Sequence, residues 1–283
     1  MSQYSWRIMS IKVDLPHPDG ADRTRKRGFV FIRAYYNIRE LAVGSWPTRE
    51  FGIIRGVTDA HCHLPGNDES VRELLVGRDF LGIHPWETEA LGPEGVRRRT
   101  EDLRARLASS AASPSPTPLG IGEIGLDRLK TREIPALMRE AFEVQLRLAD
   151  DCRRPVVLHG AKCWGQVVEA VRRLGPHVPA FLFHGFSRSD GLIPDIVALG
   201  GYISAGPAVL NDHAVNYREL VKKIPLERLL VETDRTPENA ATCPSVRDVA
   251  APVAELRGLS VDELEALVDR NAAAFFPPSR SGA

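Results

Sequence analysis

The chain has 283 residues, enough for one large α/β domain or two small ones with a sizeable core. Its 37 Lys and Arg residues balance 37 Asp and Glu residues, so no overall positive field favours nucleic acid, although a local basic path stays open. Four irregularly spaced cysteines form no CxxC zinc motif and no dense disulfide framework. Because no apolar run approaches the roughly 18 residues of a membrane span, and residues 1–11 lack a secretory signal, we expect a cytoplasmic protein without a membrane partner.

Residues 1–55 differ in composition from the rest of the chain. They carry ten Lys and Arg against five Asp and Glu, and they include one convincing strand, Gly28–Tyr36. Two interpretations are open: a poorly ordered basic arm, or a segment that packs against the following domain as an extra strand. We expect a partly disordered N-terminal extension without chemistry of its own, followed by one domain over residues 56–278.

From Val57 onward, short apolar runs alternate with helical stretches, which is typical of βα repeats around a parallel sheet. The predicted strands are Gly56–Ala60, Asp79–Ile83, Leu119–Ile124, Pro155–Leu158, Ala180–Phe183, Gly201–Ala205 and Leu229–Val231. A complete (β/α) barrel of the TIM type has eight strands. The predicted fold class is therefore α/β, a TIM-type barrel that is distorted or has seven clear strands, preceded by the N-terminal extension.

Three helices are clear from the spacing of apolar residues, and their predicted bounds are Ile134–Cys152, Val246–Arg257 and Val261–Ala274. Thr131 is the predicted N-cap of the first helix. Ser260, followed three residues later by Glu263, predicts a capping box for the last helix. The stretch over residues 110–118 is rich in Pro and Ser, which predicts a solvated, mobile loop.

The tripeptide His61-Cys62-His63 follows the apolar run Val57–Ala60. Alternate residues of a strand point to one face, so the two imidazoles lie side by side while Cys62 points away. Because imidazole is the commonest protein ligand for metals, the pair forms half of a metal site. By itself the tripeptide is a weak signal.

Four further side chains of ligand type end apolar runs: Glu123, His159, His184 and Asp234. The carboxyl ends of barrel strands form one face, so we expect these groups in one pocket. A carboxylate at the end of an apolar strand is costly to bury without a cation, and Glu123 is therefore expected to bridge two metal ions. Oxygen and nitrogen donors without a thiolate favour two divalent ions, Mg²⁺, Mn²⁺ or Zn²⁺, which together activate a water for phosphodiester hydrolysis.

Two further carboxylates, Asp127 and Glu232, lie close to the predicted ligands in sequence. Asp127, four residues after Glu123, either orients a metal ligand or caps the next helix. Glu232 shares a strand face with Asp234. We assign Asp234 to metal and water, and Glu232 to a supporting or structural role.

Six motifs in order carry a family resemblance: His61-Cys-His63, Gly82-Ile-His-Pro85, Gly122-Glu-Ile-Gly-Leu-Asp127, Val156-Val-Leu-His159, His184-Gly-Phe-Ser187 and Glu232-Thr-Asp234, with Asn271 near a terminal Phe-Phe. This series resembles the TatD family of metal-dependent hydrolases, the TatD-like DNases of the amidohydrolase superfamily. The resemblance covers about residues 57–276.

The resemblance implies a TIM-type barrel, a site for two divalent metal ions, and phosphodiester hydrolysis by a 3′–5′ exonuclease-like deoxyribonuclease. It implies that His61, His63 and Asp234 bind one metal, that His159 and His184 bind the other, and that Glu123 bridges them. His84 would lie near the scissile phosphate and, with Asp234 and Glu123, take part in catalysis. The implied partner is single-stranded DNA or a small phosphoester, and we expect a monomer.

Three departures from the family pattern bear on the substrate, and a fourth, Gly185 in place of the commoner Cys after His184, is expected to be neutral. Only about 20 residues separate His63 from His84, where most of the family has room for another βα unit. Gly160-Ala161-Lys162 replaces the usual Ser-Arg after His159, and Arg235-Thr236-Pro237 follows Asp234. We expect Lys162 and Arg235, with His84, to contact substrate, and the departures affect substrate identity more than catalysis.

Two alternative functions stay open. The same two-metal site serves hydrolases of esters or amides outside nucleic acids, because fold and metals do not fix the substrate. The other alternative is a catalytically silent barrel that acts as a binding protein. The strand end at Glu123 has no lysine, which argues against amidohydrolases that use a carbamylated lysine.

Overall fold

The computed structural model describes residues 4–12, 29–37, 56–108 and 118–276. The chain divides into two units, residues 1–52 and residues 53–283. In the first unit, strand β1 (Tyr4–Lys12) pairs with strand β2 (Phe29–Asn37) in antiparallel register, from Tyr4 opposite Asn37 to Lys12 opposite Phe29.

The strand predicted at Gly28–Tyr36 is present as β2, shifted by one residue. Its partner β1 was not predicted from the sequence, so the expectation of one convincing strand in the extension is corrected to two. Met9 and Ile11 fall out of phase with Trp6 and Ile8, which breaks the two-residue alternation that marks a strand. The disorder expected in the extension, and the mobile loop predicted at residues 110–117, lie outside the described residues.

The second unit contains eight strands within the described residues. β3 (Thr58–Cys62) pairs in parallel with β4 (Arg72–Leu75). The other six form a parallel sheet in chain order: β5 (Phe80–Leu81), β6 (Gly120–Asp127), β7 (Val156–Ala161), β8 (Phe181–Phe183), β9 (Gly201–Ala205) and β10 (Leu229–Val231).

Backbone contacts join the two sets of strands on both sides. Val76 and Phe80 form a parallel bridge between the segment after β4 and β5. On the other side, the Asp234 amide donates to the His61 carbonyl at 3.0 Å, and the His63 amide donates to the Arg235 carbonyl at 2.8 Å. The α/β barrel of the TIM type is confirmed, and its strand ends form the face on which such barrels carry their sites.

Strand β4 corrects the predicted strand count from seven to eight. It lies in the short stretch between His63 and His84, and the described residues there form no α-helix. Its four residues are half polar, with Leu74 and Leu75 buried and Arg72 and Glu73 partly exposed, so it shows neither an apolar run nor a sustained alternation.

Seven α-helices are present in the described part of the chain: α1 (Thr88–Ala108), α2 (Ala136–Cys152), α3 (Trp164–Leu174), α4 (Ile193–Ala198), α5 (Val215–Lys223), α6 (Val246–Arg257) and α7 (Val261–Phe275). The capping box predicted for the last helix is confirmed, because Ser260 accepts from the Glu263 amide. None of these helices is long and apolar enough to cross a membrane.

The predicted N-cap of α2 is wrong. The helix begins at Ala136, and Pro135 occupies the cap position without a side-chain hydrogen bond. A proline disfavours the helical conformation of the residue before it, so Ile134 stays outside the helix and Thr131 is too far away to cap it. Apolar side chains fill the core between these elements, with Ile121, Val157, Leu182 and Val231 fully buried.

Candidate metal centre

The six predicted ligands lie at the carboxyl-terminal part of five strands. His61 is inside β3 and His63 directly follows it, while His184 directly follows β8. Glu123 and His159 lie within β6 and β7, which continue to Asp127 and Ala161, so these two strands run further than the apolar pattern indicated. Asp234 stands three residues after β10.

Glycine at position 125 lets two of these strands approach closely. Gly125 is opposite His159 in the β6–β7 register. A Cβ added to Gly125 would lie 2.0 Å from the His159 carbonyl oxygen, a distance that no side chain tolerates. The glycine spacing around Glu123 therefore allows its carboxylate to meet the His159 ring.

The Glu123 carboxylate is the centre of the cluster and is almost fully buried. Its Oε1 lies 2.7 Å from His159 Nδ1 and in hydrogen-bond contact with His184 Nε2. Its Oε2 lies 3.6 Å from His61 Nε2 and 3.4 Å from His63 Nε2. Asp234 Oδ1 lies 3.6 Å and 3.5 Å from the same two histidine nitrogens. The structure thus brings all six predicted ligands together.

The donor set fits divalent cations. His61 is fully buried, and neither of its ring nitrogens has a hydrogen-bond partner among the described residues. An unpartnered polar group in the interior costs free energy that a bound cation offsets. The separations of 3.4–3.6 Å between imidazole nitrogen and carboxylate oxygen are too long for hydrogen bonds. They are close to the roughly 3.0–3.4 Å expected between two ligands about 2.1 Å from one ion.

Without a cation, protons hold the cluster together. Burial lowers the pKa of His63 and His184, but the Asp234 and Glu123 carboxylates more than reverse this and raise the pKa of His63 to about 9, while Glu123 raises that of His184 to about 10. Burial opposes ionisation of Glu123, yet His184 and His159 hold the Glu123 pKa well below its usual range. Burial lowers the pKa of His61 to about 4, so that ring is neutral.

Asp127 performs one of the two roles that the sequence left open: it orients a candidate metal ligand and does not cap the next helix, whose cap position is Pro135. Its Oδ2 lies 2.9 Å from His159 Nε2, so the carboxylate orients the ring whose other nitrogen faces Glu123. Its Oδ1 accepts from the Leu129 amide at 2.6 Å and fixes the turn after β6. A carboxylate on the outer nitrogen of a histidine is the usual support of a metal-bound imidazole.

Glu232 supports His184 from behind. It is buried, and its Oε1 lies 3.9 Å from His184 Nδ1. The same carboxylate accepts from the Gly185 amide at 2.7 Å and from the Ser204 hydroxyl at 2.5 Å. These contacts agree with the supporting role assigned from the sequence.

Asp59 is a buried carboxylate that sequence reasoning missed. It accepts from the Thr233 amide at 3.0 Å and the Thr233 hydroxyl at 2.6 Å, and lies 3.3 Å from the His61 amide. It therefore ties β3 to the end of β10 next to His61 and Asp234. The only signal in the sequence was its position two residues before His61 on the same strand face.

His84 lies beside the cluster, with Nε2 3.7 Å from Glu123 Oε1. Burial lowers its pKa to about 4, so the ring is neutral. Its Nδ1 accepts from the Trp86 amide at 3.1 Å, which places the ring proton on Nε2, the atom facing the pocket. Trp86, which sequence reasoning also missed, donates from its indole nitrogen to Asp127 Oδ2 at 2.9 Å.

The two predicted basic contacts differ in their surroundings. Lys162 is exposed after β7 and has a positive φ of 59°. Arg235 is largely enclosed, with Nη1 3.5 Å from Glu73 Oε1. Its substrate contact stays a prediction, because the structure gives the guanidinium a partner within the protein.

Comparison with known proteins places this site in a family. The family model described as TatD related DNase matches residues 76–277. The metal-dependent hydrolase YcfH of Escherichia coli K12, named as uncharacterized, is 30% identical over 266 residues, covering 78% of this chain and 95% of the relative. This chain belongs to the TatD family. The 3′-5′ ssDNA/RNA exonuclease TatD of Cronobacter sakazakii (strain ATCC BAA-894) is 28% identical over 228 residues, covering 76% of this chain and 85% of the relative.

The fold of this TatD-family chain is similar to a solved structure as well. YJJV, a TatD homolog from Escherichia coli K12, superposes with a TM-score of 0.62 at 24% identity, covering 80% of this chain and 99% of that one. The likeness concerns the fold, and it agrees with the barrel described above.

Proposed function

We propose that this chain is a metal-dependent hydrolase that cleaves phosphodiester bonds of single-stranded nucleic acid, as a 3′–5′ exonuclease with two divalent metal ions. The observation that carries the proposal is the convergence of four histidines on Glu123 and Asp234, with His61 buried and unpartnered among the described residues. Family membership supports metal-dependent hydrolysis, since both relatives compared above are named for hydrolytic activity.

The ligands divide into two overlapping groups around Glu123. His61, His63 and Asp234 would hold one ion, His159 and His184 the other, and each carboxylate oxygen of Glu123 faces one group. Divalent ions held there would lower the pKa of a water molecule and neutralise charge on a phosphoryl oxygen. Nitrogen and oxygen donors suit Mg²⁺, Mn²⁺ or Zn²⁺.

In this proposal Asp234 accepts the proton of the attacking water. Its side chain is about half exposed, and its Oδ1 faces His61 and His63. Burial raises its pKa, but the neighbouring His63 and His184 lower it overall, so the carboxylate is ionised at neutral pH. An ionised carboxylate beside the reacting water is suited to general-base catalysis.

His84 complements this role from the other side of the pocket. Because its neutral ring carries the proton on Nε2, it donates a hydrogen bond to an oxygen of the phosphodiester. Glu87 fixes the start of the turn that carries His84, since its carboxylate accepts from the His84 backbone amide at 3.0 Å.

Nucleic acid is favoured over other esters by the charge around the pocket. Lys162 and Arg188 are exposed in the loops after β7 and β8, and both have a positive φ of 59°. Residues in this strained region cluster at functional sites. Basic side chains at the mouth supply the local phosphate contacts that the neutral net charge does not.

A hydrolysis screen tests the proposal. Protein loaded with Mn²⁺ or Zn²⁺ is incubated with a 5′-labelled single-stranded DNA, the matching RNA, a small phosphodiester, a carboxylic ester and an amide. We expect stepwise shortening of the single strand from its 3′ end and no turnover after chelation. Hydrolysis of the ester or amide alone would contradict the nuclease and support the alternative hydrolase of non-nucleic-acid esters or amides. If the metal-loaded protein hydrolyses none of these substrates, the result would support the alternative of a catalytically silent barrel that acts as a binding protein.

A further inference from the structure

Large apolar side chains are exposed at the end of the barrel that carries the metal centre. Among the described residues, five large apolar side chains are exposed: Trp86, Leu129, Leu210, Val215 and Val261. The first four lie in segments that follow the carboxyl ends of β5, β6 and β9. A charged pocket with apolar side chains at its rim suits a ligand that combines a phosphate with an apolar, planar group.

Trp86 is anchored by two hydrogen bonds. It lies in the 3₁₀ turn Pro85–Glu87, and its amide donates to His84 Nδ1. Its indole nitrogen donates to Asp127 Oδ2 at 2.9 Å. Although it is held at both points, 53% of the residue is exposed. A side chain fixed in advance loses little conformational entropy when a ligand binds to it.

The ring also borders the metal centre directly. The Trp86 ring centroid is 5.0 Å from that of His84 and 6.2 Å from that of His159. Lys130 Nζ lies over the Trp86 ring, 4.4 Å from its centroid, so a positive charge stands against one face of the ring. An aromatic platform next to a cation is the combination with which proteins bind unpaired nucleotides, one element for the base and the other for the phosphate.

We propose that Trp86 is the stacking platform for the unpaired base of the terminal nucleotide whose phosphodiester enters the metal centre. The inference rests on the proposed function and adds a specificity determinant to it. A sugar separates base from phosphate, so a base on Trp86 places its phosphate towards His84 and Glu123. The site then prefers single strands with a terminal base, because a paired base has its faces covered by its neighbours.

Tryptophan fluorescence tests stacking without turnover. The metal-loaded Asp234→Asn protein is titrated with oligothymidylate, alone and with Trp86→Phe. We expect strong quenching in the first protein and its loss in the second, with an affinity that changes little because phenylalanine still stacks. Equal quenching in both proteins, or none in either, would overturn the proposal. This result does not depend on whether the strand is cleaved.

Kinetics separate stacking from the hydrogen bond to Asp127. Trp86→Ala is expected to raise KM about 5-fold to 150-fold for a normal oligonucleotide, and to change little for one whose terminal residue lacks its base. Trp86→Phe should stay close to wild type. A fall in kcat of the same size in both the alanine and the phenylalanine variant would contradict the proposal. It would show that the indole acts through its hydrogen bond to Asp127, and so through His159. Val261→Ala, exposed but outside the segments at the rim of the pocket, is the matched control.

The two proposals fail in distinguishable ways. If wild-type protein shortens oligonucleotides while Trp86→Ala leaves KM unchanged for both substrates, the stacking proposal is wrong and the nuclease stands. If no oligonucleotide is cleaved, the nuclease is wrong, and the quenching experiment alone decides whether Trp86 stacks a base.

Discussion

Asp234→Asn is expected to lower kcat by about 10²-fold to 10⁴-fold, the usual contribution of general-base catalysis. The amide keeps the size of the side chain but does not accept the proton of the attacking water. Fold and stability should change little, since the side chain is about half exposed and the Asp234 amide keeps its bond to the His61 carbonyl. Initial rates at saturating metal and substrate, with Tm measured alongside, check the prediction.

Asp212→Asn is the matched control for this experiment, because the Asp212 side chain is 88% exposed in the loop after β9. It should retain wild-type turnover. Wild-type turnover by Asp234→Asn under saturating metal would show that another group accepts the proton.

Metal affinity is expected to rise steeply with pH. In the metal-free protein the pKa of His63 is raised to about 9 and that of His184 to about 10, so both rings hold a proton at neutral pH. Each must lose it before it binds a cation, and falling pH therefore opposes binding. With one proton displaced for each ion, each apparent affinity should rise about tenfold per pH unit between about pH 6 and 8, and their product about a hundredfold.

Competition with a chromophoric chelator at several pH values measures this dependence. His63→Ala offers a check, because the remaining ion at His184 should keep its own tenfold dependence while the other is lost or weakened. Affinities that do not change between pH 6 and 8 would show that the histidines are already deprotonated in the metal-free protein. In that case the metal-free cluster would contain neutral histidines beside ionised carboxylates.

The convergence of the six candidate ligands could be predicted from the sequence because strands that are neighbours in a parallel barrel end close together. Glu123, His159 and His184 stand at related positions of consecutive strands, and the topology places them together without any need for side-chain detail. The alternation of a strand was enough to place His61 and His63 on one side and to turn Cys62 away, and Cys62 in fact faces the Leu74 carbonyl.

Other features depend on contacts between residues far apart in sequence. Asp59 is held by Thr233, 174 residues away, and Trp86 by Asp127, 41 residues away, so neither role is visible in a local pattern. Strand β4 is too short and too polar for periodicity to reveal it, and it forms because β3 offers its edge. The expected cytoplasmic location and monomeric state stay predictions.

Metal stoichiometry tests the central claim most directly. After reconstitution with Zn²⁺ or Mn²⁺ and removal of free metal, elemental analysis should give about two ions per chain. The double variant His159→Ala with His184→Ala should hold about one, because only the group of His61, His63 and Asp234 remains. Replacing two exposed histidines outside the cluster, His177 and His213, should leave two ions bound. A wild-type value near zero, or a value unchanged in the first double variant, would contradict the account.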